Sequence, residues 1–111
     1  MSIFDHCDYS QHEQVHFVSD KSTGLNAIIA VHDTRLGRAV GGCRIHAYPS
    51  SQDALSDALR LSQAMTYKNV LAGLPFGGGK SVIIADPQTE KTSEMLEVFG
   101  TYIDQLGGKY I

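Results

Sequence analysis

Alternating and continuous apolar runs in the first half of the chain predict three short strands. Residues 13–19 alternate between apolar and polar side chains, the pattern of a strand with one face buried. Residues 25–32 are almost continuously apolar, which is typical of a strand covered on both faces. Residues 39–46 predict a third strand, interrupted at Gly41 and Gly42. Missing side chains inside a strand indicate either a bulge or a close approach by another group.

From residue 51 onward the apolar period changes to three and four, which predicts an amphipathic helix. Ser50 is the expected N-cap of this helix, with Asp53 three residues later as a weakened capping box. Residues 73–79 contain too much glycine and proline to continue a helix, so they predict a glycine-rich loop. A buried strand is expected next, at residues 81–85. The stripe of the helix comprises Leu55, Ala58, Leu59, Ser62 and Met65.

A second amphipathic stripe, at residues 95–106, predicts another helix that ends at Gly107. Gly100 lies inside this stripe and costs about 1 kcal/mol relative to Ala, so we expect it to allow close packing. Residues 109–111 have the composition of the start of a further strand. Three antiparallel strands followed by helix, strand, helix and strand predict an α/β fold, a mixed β-sheet flanked by helices.

Length and charge narrow the possible functions. The 111 residues fit a single domain, residues 1–111. The net charge of −3 provides no basic surface for a nucleic-acid partner, and no apolar run reaches the roughly 20 residues that cross a membrane. The N-terminus lacks the basic start and apolar stretch of a signal peptide, so we expect a cytoplasmic protein. Cys7 and Cys43 have no C-x-x-C partner, which excludes a disulfide framework.

The sequence GGGKS at residues 77–81 is the first candidate for chemistry, because consecutive glycines can expose bare backbone to a ligand. A phosphate-binding loop does not fit: Leu74 replaces its first glycine, and a helix precedes the glycines where a strand is required. A dinucleotide fingerprint would need glycine at Val82. The simplest alternative is a flexible surface turn with a solvated lysine.

Two lysines offer a more specific interpretation. Met65, Lys68 and Ala72 share one face of the first predicted helix, so Lys68 can point toward the segment that carries Lys80. Two ammonium groups in one pocket suit a small carboxylate, and their repulsion favours loss of a proton from one of them, which then becomes a proton acceptor. Spacing alone favours the alternative that Lys68 is an ordinary surface lysine.

Three motifs in register carry a resemblance to a known family. They are GGCR at residues 41–44, MTYKN at residues 65–69 and GLPFGGGK at residues 73–80. In this order and spacing they closely resemble the N-terminal domain of the glutamate/leucine/phenylalanine/valine dehydrogenases, over residues 13–111. The resemblance implies reversible, NAD(P)-dependent oxidative deamination of L-amino acids to 2-oxo acids and ammonia. It also implies that the NAD-binding domain is absent from this chain, which we expect to be inactive alone.

The resemblance also implies roles for individual residues. Lys68 is expected to bind the α-carboxylate of the substrate, assisted by the backbone of Gly41 and Gly42 and by Met65. Lys80 is expected to be the catalytic lysine, which activates water to attack the imino intermediate. The family assembles through this domain, so a homo-oligomer is expected, with exposed strand edges pairing between copies.

Two departures from the pattern bear on the substrate. Val40 stands where glutamate dehydrogenases carry a lysine for the substrate's side-chain carboxylate, and Met65 stands where they tend to have glutamine. Both changes favour the leucine/phenylalanine/valine branch, because an unpaired buried carboxylate is costly. The choice between NAD and NADP stays open. The histidines show no metal-ligand spacing on a helix, so no metal site is expected. The alternative function is a noncatalytic module for small carboxylates or for assembly.

Overall fold

A computed structural model describes residues 2–111, which form a five-stranded mixed sheet with one long helix and one shorter helix. A short 3-10 turn, Ile3–Asp5, precedes the sheet. No helix among residues 2–111 combines the length and the apolar character needed to cross a membrane. The strands are β1 (Gln14–Asp20), β2 (Leu25–Asp33), β3 (Ala39–Val40), β4 (Cys43–His46) and β5 (Gly77–Ile84), and the helices are α1 (Ser51–Leu71) and α2 (Ser93–Asp104).

The sheet order is β1-β2-β5-β3, with β4 continuing beside β5. β1 pairs antiparallel with β2, and β2 pairs antiparallel with β5. β3 and β4 run parallel to β5. The predicted α/β fold with a mixed sheet is therefore confirmed. The prediction of three consecutive antiparallel strands is wrong, because β5 inserts between β2 and β3. The central position suits β5, which is buried on both faces along most of its length.

The break at Gly41 and Gly42 is a close approach, not a bulge. Val40 pairs with Gly78 before the break and Cys43 pairs with Ser81 after it, so the offset between partners is unchanged and no residue is inserted. A Cβ atom on Gly41 would overlap the carbonyl oxygen of Gly79. The glycine pair thus lets the backbone of this edge lie directly against β5.

The two helices cover opposite faces of the sheet. α1 packs Leu55 and Leu59 against Ile28 and Val82, whereas α2 packs Met95 against the other face. The N-cap of α1 is as predicted, because the Ser50 hydroxyl oxygen accepts the Asp53 N–H at 3.2 Å. These contacts fix α1 along β5, which positions the candidate site.

The predicted glycine-rich loop is wrong at its second half, because Gly77–Gly79 belong to β5. The absent side chains are replaced by protein atoms. A Cβ on Gly77 would overlap the Asp33 carbonyl, one on Gly78 would overlap the Thr66 backbone, and one on Gly79 would lie 2.6 Å from the Tyr110 ring. The triplet therefore permits close packing of a strand, a helix and an aromatic ring, and does not leave bare backbone for a ligand.

Two features of the C-terminal half also bear on the sequence predictions. Gly100 in α2 has no neighbouring atom within 4 Å of the position that a Cβ would take, so the predicted close packing at this glycine is wrong. Residues 109–111 do extend the sheet beyond β3, as predicted. Ala39 donates its N–H to the Lys109 carbonyl at 2.8 Å and accepts the Ile111 N–H at 3.0 Å.

A buried histidine joins the N-terminal segment to α1. The Nε2 of His12 lies 2.8 Å from the Leu59 carbonyl, and its Nδ1 accepts the Ser10 N–H at 3.1 Å. These two bonds require the neutral ring with its hydrogen on Nε2. Burial lowers the pKa of His12, and the neighbouring His32 ring, 4.6 Å away, acts in the same direction.

Candidate active site

Lys80 lies on the face of β5 that α1 covers. Ala30, its partner on β2, and Val82, two residues further along β5, both belong to the cluster packed against α1. The Lys80 side chain is half-buried, and none of the ion pairs among residues 2–111 includes it. A Cβ on Gly42 would lie 3.5 Å from the Lys80 Nζ. The ammonium group therefore stands beside the glycine pair without a carboxylate partner.

Met65 borders the same place from the helix. Its Cγ would lie 3.4 Å from a Cβ on Gly41, so α1 and the glycine pair are in contact. Val40 precedes the pair and is half-buried at its position on β3. The structure thus brings four of the six residues singled out in the sequence close together, Lys80, Met65, Gly41 and Gly42, and Val40 adjoins them in the chain.

Lys68 lies in the last turn of α1, three residues after Met65 on the same flank. Its side chain is exposed and is in none of the ion pairs among residues 2–111. A cation near a helix C-terminus is also favourable for the helix itself, so this location fits both interpretations of Lys68. The turn is anchored by Asn69, whose side-chain amide donates to the Gly77 carbonyl at 2.8 Å. Because Asn69 is buried, this bond fixes the end of α1 against β5.

Tyr110 contacts the glycine pair, although the sequence analysis did not single it out. Its ring is buried, and its hydroxyl lies 3.0 Å from the Gly41 carbonyl, 3.1 Å from the Gly42 carbonyl and 2.9 Å from the Ser81 hydroxyl. Burial raises the pKa of Tyr110, so the phenol stays protonated. The sequence held one signal: a tyrosine in a new strand needs a hydrogen-bond partner when buried.

Cys43 follows the glycine pair at the start of β4. Burial raises the pKa of its thiol, while the Ser81 hydroxyl and the positive charge of Lys80 act in the opposite direction. The net effect is a thiol that stays protonated at neutral pH. Cys43 pairs with Ser81, so its side chain lies on the α2 face of the sheet and not on the Lys80 face.

One cluster outside this site has metal-ligand atoms close together. The side chains of His6, Cys7 and Asp8 offer ligand atoms within 4.8 Å of one another. The three are consecutive, and the His6 Nδ1 already accepts the Asp8 N–H at 3.0 Å. The local turn therefore accounts for their proximity.

Residues of the three separated motifs lie close together, which agrees with comparisons to known proteins. The family model described as "Glu/Leu/Phe/Val dehydrogenase, dimerisation domain" matches residues 11–111. This chain belongs to the Glu/Leu/Phe/Val dehydrogenase family. The resemblance seen in the sequence motifs is thereby confirmed.

Individual members of the family show the extent of the likeness. A phenylalanine dehydrogenase from Bacillus thermotolerans is 55% identical over 91% of this chain, which spans 26% of that protein. A leucine dehydrogenase from Geobacillus stearothermophilus is 52% identical over 100% of this chain, which spans 30% of that protein. The crystal structure of L-tryptophan dehydrogenase from Nostoc punctiforme superposes with a TM-score of 0.88 at 50% identity, over 91% of this chain and 30% of that one. The chain thus spans less than a third of each relative.

Proposed function

We propose that this chain is the N-terminal, substrate-binding domain of an NAD(P)-dependent dehydrogenase. The enzyme would oxidatively deaminate an apolar L-amino acid, of the leucine, valine or phenylalanine type, to a 2-oxo acid and ammonia. The observation that carries the proposal is the Lys80 ammonium group, which stands beside Gly42 without a carboxylate partner, where α1 approaches the glycine pair. Membership of the family supports the reaction type.

The substrate's α-carboxylate is proposed to bind between Lys68 and the glycine pair. Lys68 extends from the flank of α1 that Met65 brings against Gly41. The long, exposed lysine side chain is free to fold over a carboxylate held beside the glycine backbone. A charge-assisted hydrogen bond of this kind is about twice as strong as a neutral one.

Lys80 is proposed to handle the protons of the water that attacks the α-carbon of the oxidised substrate. A nicotinamide cofactor, held by a further domain, would supply the hydride acceptor for the oxidation. Lys80 would remove a proton from water as the water oxygen attacks the imine carbon. It would then pass the two water protons to the nitrogen, so that the C–N bond breaks, ammonia leaves and the oxo acid forms. No ion pair among residues 2–111 occupies the Lys80 amino group, so it is available to contact the reacting water.

Residues 2–111 do not fit a dinucleotide site. No strand among them leads into a G-x-G-x-x-G turn and a helix, and the space beside Gly77–Gly79 is filled by protein. We therefore propose that NAD or NADP binds to a further domain of the complete enzyme. The short span of this chain relative to its dehydrogenase relatives supports that arrangement.

The side-chain preference is proposed from Val40 and Met65. Met65 lies against Gly41 and Val40 directly precedes it, and both offer only apolar surface to a substrate side chain. A glutamate side chain would lose hydration there without gaining a cation, a cost of several kcal/mol for an ionised carboxylate. Leucine, valine and phenylalanine instead gain from burial.

A homo-oligomer is the proposed assembly, as the description of the family's dimerisation domain supports. β1 is an edge strand in this chain, because its only neighbour in the sheet of residues 2–111 is β2. Phe17 on β1 is 63% exposed, which is unusual for a large apolar side chain on a strand. An open edge with an exposed aromatic ring is suited to pairing with a second copy.

The test is a substrate panel on the complete enzyme that contains this domain. NAD(P)H formation is followed with L-leucine, L-valine, L-phenylalanine and L-glutamate. We expect at least one apolar amino acid to exceed glutamate in kcat/KM by about 1000-fold or more. Val40→Lys is the matched variant. It should lower the ratio of kcat/KM for the apolar amino acid to kcat/KM for glutamate, because it supplies a cation for the side-chain carboxylate. Preference for glutamate, or no turnover of any amino acid, would contradict the proposal.

A further inference from the structure

Tyr110 connects to the glycine pair through a set of bonds that packing alone does not require. Its hydroxyl carries one hydrogen, which it shares between the Gly41 and Gly42 carbonyls at 3.0 and 3.1 Å. Ser81, itself fully buried, supplies a hydroxyl hydrogen to the same oxygen at 2.9 Å. Ser81 also donates its backbone N–H to the Gly42 carbonyl at 3.2 Å. Tyr110 thus holds both glycine carbonyls, and Ser81 also holds the Gly42 carbonyl.

The ring that carries this hydroxyl is itself fixed. It packs on the α2 face of the sheet with Ile29, Val31 and Ala39. Backbone bonds to Ala39 on both sides of Tyr110 hold the residue in line with β3. Gly79 leaves room for the ring, because a Cβ there would lie 2.6 Å from the Tyr110 Cδ1. The position of the hydroxyl is therefore set by the sheet and not by the glycine pair.

The direction of the Gly42 amide follows from these bonds. No peptide bond among residues 2–111 is cis, so the Gly41 carbonyl and the Gly42 N–H point in opposite directions. With the carbonyl turned toward Tyr110 on the α2 face, the N–H points toward the α1 face. That is the face on which Lys80 lies, and Gly42 is its near neighbour. The Gly42 N–H is also not donated to any protein group among residues 2–111.

We propose that Tyr110 is a positioning residue: its hydroxyl holds the Gly41–Gly42 peptide so that the Gly42 N–H is presented beside Lys80 to the carboxylate of the substrate. This inference rests on the proposed function and names a further residue of the same site. Tyr110 itself does not touch the substrate. It acts through the orientation of one peptide group, which loses its fixed direction when the hydroxyl is removed.

The experiment compares Tyr110→Phe with the wild type in the complete enzyme. The phenyl ring keeps the packing on Gly79, so we expect a folded protein in which KM for the amino acid rises about tenfold and kcat changes less than about twofold. KM is expected to change more than kcat because the carboxylate contact is equally present in the ground state and the transition state. KM for the nucleotide should not change. The matched control is Tyr102→Phe, which removes a hydroxyl bonded to the Ser19 carbonyl and should leave every constant unchanged.

A second readout separates positioning from folding. Inhibition by 3-methylbutanoate, which has the carboxylate, should weaken about tenfold in Tyr110→Phe, whereas inhibition by 3-methyl-1-butanol should not change. A structural defect would instead reduce the active fraction and leave both inhibition constants at their wild-type values, which would overturn the proposal. If Tyr110→Phe does not fold, Ser81→Ala takes its place, with an expected rise in KM of about threefold, and an unchanged KM would overturn the proposal.

The outcome also distinguishes this inference from the proposed function. If the wild type oxidises apolar amino acids and Tyr110→Phe has an unchanged KM, the role of Tyr110 is wrong while the function stands. If the wild type turns over no amino acid, the proposed function is wrong. Calorimetric titration with 3-methylbutanoate then decides the role of Tyr110, which stands only if the variant binds the carboxylate about tenfold more weakly than the wild type.

Discussion

Replacing Gly78 by alanine tests the contact that places α1 on β5. A Cβ at this position would lie 2.6 Å from the Ser62 carbonyl oxygen and still closer to the backbone nitrogen of Thr66. Ordinary van der Waals contact begins at 3.4 Å, so α1 would have to move by about 0.8 Å or more. Gly78 does not have a positive φ, so the cost is steric and not conformational.

The magnitude follows from two opposing effects. Overpacking costs about 1–3 kcal/mol, and we expect the upper end because the opposing atoms are helix backbone that cannot rotate away. Alanine also leaves the unfolded chain fewer conformations than glycine does, which stabilises the folded state by about 0.4–1 kcal/mol. The net loss is therefore about 2 kcal/mol, which corresponds to a fall in Tm of about 10 °C for a domain of this size.

Urea unfolding followed by circular dichroism measures the effect, with Gly100→Ala as the matched control. Gly100 lies in a helix with open space at its methyl position, so the same substitution should stabilise the chain there by about 1 kcal/mol. The two variants should shift the urea midpoint in opposite directions with an unchanged slope. A Gly78→Ala protein as stable as the wild type would refute this description of how α1 and β5 approach each other.

Three further predictions concern other parts of the molecule. Protonation of His12 requires a hydrogen on Nδ1, where the ring now accepts the Ser10 N–H. Its lowered pKa means that its contribution to stability is complete above the usual value of 6.5 and is lost as the pH falls below it. Urea unfolding between pH about 5 and about 7.5 should show this loss in the wild type but not in His12→Gln, and parallel pH curves for the two would contradict it. Phe17→Asp should lower the assembly state in light scattering without changing the circular dichroism spectrum, and an unchanged mass would exclude the β1 edge as the interface. Asn69→Ala should cost about 1–3 kcal/mol, since it leaves the buried Gly77 carbonyl without its partner, and a change below about 0.5 kcal/mol would show that this bond does not fix α1.

The sequence predicted the elements better than their arrangement. Apolar periodicity located both helices and the strands, because each of these elements buries one face or both. The pairing of β3 and β4 with β5 could not be read in this way, since it depends on long-range contacts between segments far apart in the chain. Local patterns carry no information on which strand lies at the edge of the sheet.

The glycine triplet shows the same limit for the candidate site. Local composition favoured a loop, because glycine is weak in strands, yet tertiary contacts with Thr66 and Tyr110 determine the strand conformation. The motifs nevertheless identified residues that the fold brings close together: Lys80, Met65 and the glycine pair. The sequence did not predict the contacts of Tyr110, because its partners are backbone carbonyls and a side-chain motif contains no information on these.

The central claim is that Lys68 and Lys80 serve different steps at one carboxylate-binding cleft. Steady-state kinetics of Lys68→Ala and Lys80→Ala in the complete enzyme test it most directly. Loss of Lys68 should raise KM for the amino acid about 100-fold with a smaller effect on kcat, because it removes a charged contact. Loss of Lys80 should lower kcat by about 1000-fold or more, because it removes the group that accepts the proton of water. A Lys80→Ala enzyme that retains more than about a tenth of the wild-type kcat would contradict this claim.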